Sequence, residues 1–350
     1  MHKRAFVGKM CSMSEALYSD NWRIIGHEWA IRHITRSLNA DRLRHAYLIS
    51  GVARIGKTTF ARAFAQAVNC QSDTARPCGV CRACQLTAQG NYADFTLIEA
   101  QGASLKIEQI REMTRVLSLR PVEGRYRVLI LRRFQEASTQ AMDALLKTLE
   151  EPPPYVLLLL TADTTESLLA TIKSRCQPLN LRPLPTQAIR EALVNQHNSE
   201  PERAALIAQL SGGRMGWALE VLRDDSVLEQ RAEWLDLLER ALGESRAARF
   251  DHARALSEDR ASLPTLLALW QSYWRDALLL THHTAAAAIT NRDRRHALEQ
   301  IARSVKAEET YQALLAVRRT LRYLQANVNA RLALDALMLD LPHLRLVAAP

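Results

Sequence analysis

Residues 51–58 read Gly51-Val52-Ala53-Arg54-Ile55-Gly56-Lys57-Thr58 and fit G-x-x-x-x-G-K-[ST]. A loop of this type turns successive backbone N–H groups toward phosphate oxygens, and its glycines permit the close approach. A helix opening directly after it adds positive potential at the same point. Lys57 is then expected to reach the terminal phosphates and Thr58 to hold Mg²⁺. Gly51, Gly56, Lys57, Thr58 and Thr59 form the expected nucleotide-contacting set, with ATP or ADP as the ligand. A chance glycine–lysine turn is the competing reading, and the strand before and helix after the loop argue against it.

A second cluster follows at once, Cys70-x7-Cys78-x2-Cys81-x2-Cys84. Four thiolates at these spacings can surround one tetrahedral Zn²⁺ and leave no position open for chemistry, so the expected site is structural. Loops this short bury little core, which makes the metal the main source of order. A redox pair needs only two cysteines, so zinc is preferred over that alternative. Cys11 and Cys176 read as ordinary single thiols.

Hydrolysis of a bound nucleotide would need further groups. A carboxylate at the end of a neighbouring strand orders the magnesium shell, and an adjacent one polarises water. Val128-Leu129-Ile130-Leu131 is that strand here, and Arg132-Arg133 follow it. Between unit charges about 4 Å apart the Coulomb term is about 4 kcal/mol at an effective dielectric of 20. Two guanidinium groups beside Mg²⁺ are therefore a serious defect. No acid lies between Arg125 and Gln135, so shifting the register does not rescue the site, and Glu136 lies beyond the strand end. The expectation is binding without hydrolysis in cis. Glu150-Glu151 are no acid–base pair, because neighbours on a helix diverge by about 100°. His45, just before a buried strand, reads as structural.

The elements that must carry these residues alternate. Ala46-Tyr47-Leu48-Ile49-Ser50 reads as a buried strand, and residues 58–69 as a helix with Phe60, Phe64, Ala67 and Val68 on one face. Further strands are expected at 95–98, 127–131 and 155–161, the last two as apolar runs covered on both faces. Strands alternating with helices predict an α/β doubly wound parallel sheet over residues 22–185. Two prolines in Leu181-Arg182-Pro183-Leu184-Pro185 make that segment a hinge candidate. Three short helices broken at Gly212-Gly213 are expected over 186–225, and an all-helical domain over 226–350. Residues 285–288 read as helix, and 328–341 as a helix apolar on more than one face and therefore expected to be buried among others.

Of the 350 residues 48% are hydrophobic, enough for a large core and against general disorder. The excess of 46 Lys and Arg over 37 Asp and Glu, +9, admits a phosphate-bearing partner without requiring one. There is no apolar run long enough to span a membrane. Residues 1–21 lack the apolar centre of a secretion signal and read as a leader, which predicts a cytoplasmic protein.

Taken in order, Ile24-Ile25-Gly26-His27-Glu28, Leu43-Arg44-His45-Ala46-Tyr47-Leu48, the phosphate loop and the four cysteines resemble bacterial DNA polymerase III clamp-loader subunits. Ala144-Leu145-Leu146-Lys147-Thr148-Leu149-Glu150-Glu151-Pro152-Pro153 is similar to that family's most recognisable stretch, and Ser174-Arg175-Cys176 to its arginine-finger triplet. Asn327-Val328-Asn329-Ala330-Arg331-Leu332 resembles a collar signature of the delta-prime type. The likeness is strong over residues 22–176, weaker to 225, and thin beyond except at 327–341. It implies an AAA+ nucleotide-binding core with a zinc module at 70–84, a helical lid at 186–225 and a helical collar at 226–350. It also implies a ring with gamma/tau and delta subunits that loads a sliding clamp onto primer-template DNA. In that ring Arg175 would serve a neighbour's ATP. Arg132-Arg133 fall on the acidic pair of the hydrolysing gamma/tau subunit, and Gly216 falls where that subunit has a nucleotide-sensing arginine, with Arg214 close by. The first cysteine spacing is one residue shorter than the family's, and the chain stops soon after the collar. These departures favour the delta-prime type over an active gamma/tau-type ATPase.

Overall fold

The computed structural model describes residues 18–19, 21–73, 75–100, 104–282, 289–326 and 328–344. Cys11, the run 285–288 and Asn327 lie outside them, as does most of the expected leader. Two compact units make up the chain, residues 1–198 with 213–217, and residues 199–212 with 218–350. The segment 186–225 is thus divided between the two.

The first unit opens with a short antiparallel ladder of β1 (Tyr18–Ser19) and β2 (Ile24–Ile25), then α1 (Glu28–Asn39). Its core elements are β3 (Ala46–Ser50), α2 (Lys57–Asn69), α3 (Arg82–Gln89), β4 (Phe95–Ile98), α4 (Ile107–Leu117) and β5 (Arg127–Leu131). There follow α5 (Thr139–Glu150), β6 (Val156–Ala162), α6 (Ala170–Arg175), β7 (Gln177–Asn180) and α7 (Thr186–His197). The strands pair in parallel in the order β4-β5-β6-β3-β7, the AAA+ type of doubly wound sheet.

Every residue of β3, β5 and β6 is buried, and successive side chains point to opposite faces. Tyr47, Ile49, Val128, Ile130, Leu157 and Leu159 meet α1 and α2 on one face. Ala46, Leu48, Leu129, Leu131, Leu158 and Leu160 meet α4 and α5 on the other. Trp22, Tyr47, Phe60 and Phe64 form an aromatic cluster, with Tyr47 edge-on to Phe64 at 5.0 Å between ring centres. This clamp fixes α2 against β3 and so fixes the loop that joins them.

The proline segment 181–185 has no regular structure, as expected, yet it is packed rather than loose. Leu181 and Leu184 are buried, and the Leu181 N–H donates to Ser50 O at 2.7 Å. The second unit is helical among its described residues: α8 (Pro201–Leu210), the later part of α9 (Met215–Arg223), α10 (Ser226–Gly243), α11 (Arg246–Glu258), α12 (Leu263–Thr281), α13 (Arg295–Ser304), α14 (Ala307–Gln325) and α15 (Ala330–Asp340). Trp270, Tyr273 and Trp274 of α12 centre its core. In α15 Ala333, Leu334, Leu337 and Met338 are buried, while Leu332 and Leu339 are exposed.

Candidate nucleotide and metal sites

The phosphate loop leaves the C-terminal end of β3, the edge where parallel sheets of this type bind ligands. Gly51 has φ 151°, and a Cβ there would lie 2.6 Å from Leu181 O, so only glycine fits. Gly56, at φ 111°, caps α2 in a conformation that L side chains rarely adopt. Lys57, Thr58 and Thr59 occupy the first turn of α2, with Lys57 buried, Thr58 half-buried and Thr59 exposed. The structure thus brings together all five residues assigned to nucleotide binding. Lys57 Nζ donates to Gly51 O at 2.7 Å and Val52 O at 2.8 Å and pairs with Asp163 Oδ1 at 2.7 Å. Burial lowers its pKa, Asp163 opposes that, and Arg133 adds to the lowering.

Asp163 and its partner Gln135 were not singled out in the sequence. Gln135 Nε2 donates to Asp163 Oδ2, and the Asp163 N–H donates to Gln135 Oε1, both at 3.2 Å. The usable signal was position: Asp163 directly follows β6, the strand beside β3. His27 was missed as well. It is buried with a left-handed backbone, and its Nε2 has no hydrogen-bond partner among the described residues. Burial lowers the His27 pKa, and the neighbouring Ile55 backbone and Glu28 charge offset only part of that.

Beyond β5 the two arginines diverge. Arg132 Nη1 meets Glu99 Oε2, and Arg133 Nη2 meets Glu136 Oε1, each at 2.5 Å. The Arg133 backbone is left-handed, with its N–H on Thr161 Oγ1 at 3.1 Å. Arg133 lies close enough to lower the pKa of Arg54 beneath the dominant effect of burial. Glu136 lies close enough to Asp163 to feel its charge. Burial raises its pKa, Arg133 pulls it down, and Asp163 pushes it up again. Each of the two acids here, Asp163 and Glu136, is paired with a cation.

The four predicted metal ligands converge. The sulfurs of Cys70, Cys78, Cys81 and Cys84 all lie within 4.8 Å of one another, and none is in a disulfide. A tetrahedral zinc with bonds of about 2.3 Å needs sulfurs about 3.8 Å apart, so the cluster can hold such an ion. Cys70 closes α2 and Cys81 caps α3, so the sheet-packed α2 anchors one ligand. The N–H groups of Ser72 and Cys78 point at Cys70 Sγ (3.5 and 3.3 Å), and that of Cys81 at Cys78 Sγ (3.3 Å). Slight burial would raise the Cys78 pKa, but the N–H groups of Val80 and Cys81 and the thiols of Cys70 and Cys81 bring it down to about 6. Cys176 is buried elsewhere, and desolvation pushes its pKa up to about 12, as suits an inert thiol.

Arg175 ends α6 and precedes β7, which runs in register with β3 from Tyr47↔Gln177 to Ser50↔Asn180. The phosphate loop lies past the other end of that pairing, about one strand length away at 3.3 Å per residue. Arg175 therefore cannot reach a phosphate held by its own loop. Its Nη2 pairs with Glu150 Oε1 at 2.8 Å, and Nη1 donates to Thr171 O at 3.1 Å. His45 sits at that same far end, just before β3, where burial lowers its pKa and its Nε2 has no hydrogen-bond partner among the described residues.

Gly216 packs on the loop. Its N–H donates to Arg54 O at 2.8 Å, and an added Cβ would lie 2.6 Å from that oxygen. No arginine fits there. Arg214 stacks over the Trp217 ring, 5.6 Å from its centre.

Residues 26–185 match the family model described as DNA polymerase III, delta subunit, and residues 226–343 match that of DNA polymerase III, delta subunit, C terminal. The chain belongs to the DNA polymerase III clamp-loader subunit family. Its relatives carry two subunit names. It is 39% identical over 192 residues to subunit tau/gamma of Haemophilus influenzae, covering 53% of this chain and 27% of that protein. It is 34% identical over 203 residues to subunit delta' of Bacillus subtilis, covering 58% of this chain and 61% of that one. This clamp-loader subunit thus matches less than two thirds of either relative's length. Among solved structures, a gamma subunit-related protein of Thermotoga maritima is similar at TM-score 0.38 and 16% identity, covering 87% of this chain and 97% of that one. The RuvB Holliday junction branch migration motor of Thermotoga maritima is similar at TM-score 0.39 and 15% identity, covering 61% and 64%. No described helix is long and apolar enough to cross a membrane.

Proposed function

We propose that this chain is the delta-prime-type subunit of a cytoplasmic clamp loader. In this role it binds ATP or ADP with Mg²⁺ without hydrolysing it, and it lends Arg175 to the ATP site of a neighbouring gamma/tau subunit. The observation that carries the reading is the pairing of acids at the loop. Asp163 is held by Lys57 and Glu136 by Arg133, and Arg132-Arg133 stand at the end of β5. No carboxylate at that strand end organises a metal and a water. Gly216 adds to this, since the loop leaves no room for a sensing arginine.

In this reading Cys70, Cys78, Cys81 and Cys84 hold a structural Zn²⁺ that ties α3 to α2. Gly51, Gly56, Lys57, Thr58 and Thr59 cradle the nucleotide phosphates, and Mg²⁺ sits at Thr58. Residues 186–225 act as lid and 226–350 as collar. Gamma/tau and delta subunits are the ring partners, with the sliding clamp and primer-template DNA engaged through the complex. Guanidinium from Arg175 would stabilise charge developing on a neighbour's phosphoryl group.

The intact phosphate loop favours one alternative, an active ATPase of the gamma/tau kind. An ATPase assay on the isolated, purified chain separates the two. The expected result is no Mg²⁺-dependent turnover above background, and brisk turnover would establish the alternative.

A further inference from the structure

An ammonium group has three N–H donors and no acceptor. Lys57 uses all three, on Gly51 O, Val52 O and Asp163 Oδ1, at 2.7, 2.8 and 2.7 Å. Two of these acceptors belong to the loop backbone that would itself wrap a phosphate. The third is a side chain from a different strand end. We propose that Asp163 sets the nucleotide affinity of this chain, serving as an internal counter-ion that an incoming phosphate must displace from Lys57. The proposal rests on residues 51–58 being a nucleotide site.

The chemistry of competition is direct. A phosphate oxygen and the Asp163 carboxylate seek the same donor and carry the same sign of charge. With Lys57 only 7% and Asp163 27% exposed, water screens their attraction weakly. Asp163 is also held from behind, because Gln135 takes one carboxylate oxygen and accepts the Asp163 N–H. Turning the carboxylate away from Lys57 therefore disturbs that pair as well. Glu136, whose pKa Asp163 raises, adds more negative charge nearby. The opposite role for Asp163, as a ligand in the shell of nucleotide-bound Mg²⁺, predicts the opposite sign of effect.

The test measures binding of a fluorescent ADP analogue to the full chain and to Asp163→Asn, Asp163→Ala and Lys57→Met, with and without Mg²⁺. Cooperative thermal melting checks the fold of each variant. Loss of one charge-assisted competitor is expected to tighten binding by about tenfold in both Asp163 variants, Mg²⁺ present or absent. Lys57→Met is expected to abolish binding. Unchanged or weaker binding by folded Asp163 variants, beside a binding wild type, overturns this proposal and leaves the nucleotide reading standing. Absence of binding by wild type and Asp163 variants alike overturns both. Should the Asp163 variants not melt cooperatively, Gln135→Leu loosens the carboxylate without removing it. Tighter binding in that variant supports the proposal, and unchanged or weaker binding overturns it.

Discussion

Asp94 shows how a single carboxylate can hold a loop. It is fully buried, and it accepts the N–H groups of Val122, Glu123 and Gly124 at 2.8, 2.8 and 2.7 Å while meeting Arg127 at 3.3 Å. Burial alone would raise its pKa, but the three N–H groups and Arg127 together lower it. A lowered folded-state pKa contributes stability above the unfolded value of about 3.9, and that stability is lost as pH falls through the folded value. Asp94→Asn keeps the shape and loses the charge. It is expected to cost about 2–3 kcal/mol at neutral pH, a gap that narrows below about pH 4, as read by urea melts across pH. The thiol cluster makes a parallel case. Cys78→Ser is expected to abolish bound zinc, measured by elemental analysis, and to lower the melting temperature by several degrees. Strong chelation of the wild type should reproduce the loss. An unaltered metal content would remove Cys78 from the ligand set.

Among the elements, Arg249 of α11 ties the ends of two other helices to its own. Buried among helices, its guanidinium donates to the carbonyls of Ala241 and Leu242 near the end of α10 and of Met338, Leu341 and Pro342 around the end of α15. Those are among the groups that helix ends leave without partners, and a cation suits the negative end of two helix dipoles. Arg249→Met is expected to destabilise the helical unit by about 3–5 kcal/mol, by chemical denaturation. Arg249→Lys, with three donors for five acceptors, should recover only part. None of this was legible in the sequence, since the five carbonyls carry no side-chain signature and come from two distant segments. What was legible has a local cause. The runs in β3, β5 and β6 are apolar because both sheet faces are covered, and the loop and cysteine spacings are motifs of adjacent residues. Asp163 and Gln135 escaped notice because the meeting of Asp163 with both Gln135 and Lys57 depends on which strands lie side by side. The apolar surface of α15 was visible, but Leu332 and Leu339 proved exposed because the unit covers only one face of that helix.

For the molecule as a whole the decisive geometry is the opposition of two ends of one sheet. Lys57 lies at the C-terminal edge of β3 and Arg175 at the N-terminal edge of β7, its register neighbour. A phosphate held by the loop is therefore out of reach of Arg175 in the same chain, as the proposed service to a neighbour's ATP requires. Arg175 is held by Glu150, but both side chains are substantially solvated, so the pair is worth about 0–1 kcal/mol and does not lock the guanidinium in place. In a complex reconstituted with gamma/tau and delta subunits, Arg175→Ala should leave assembly intact by gel filtration. Arginine fingers contribute about 10³–10⁵ in rate at the site they serve. Turnover should therefore fall by the whole contribution of the one ATP site next to this chain, and any residual rate should come from sites that do not face it. Clamp loading, read on primed DNA, should fall with it. Glu150→Gln releases the guanidinium without removing it, so it should keep turnover at or above the wild-type rate. If Arg175→Ala left turnover unchanged in a correctly assembled complex, Arg175 would be no more than half of a surface ion pair.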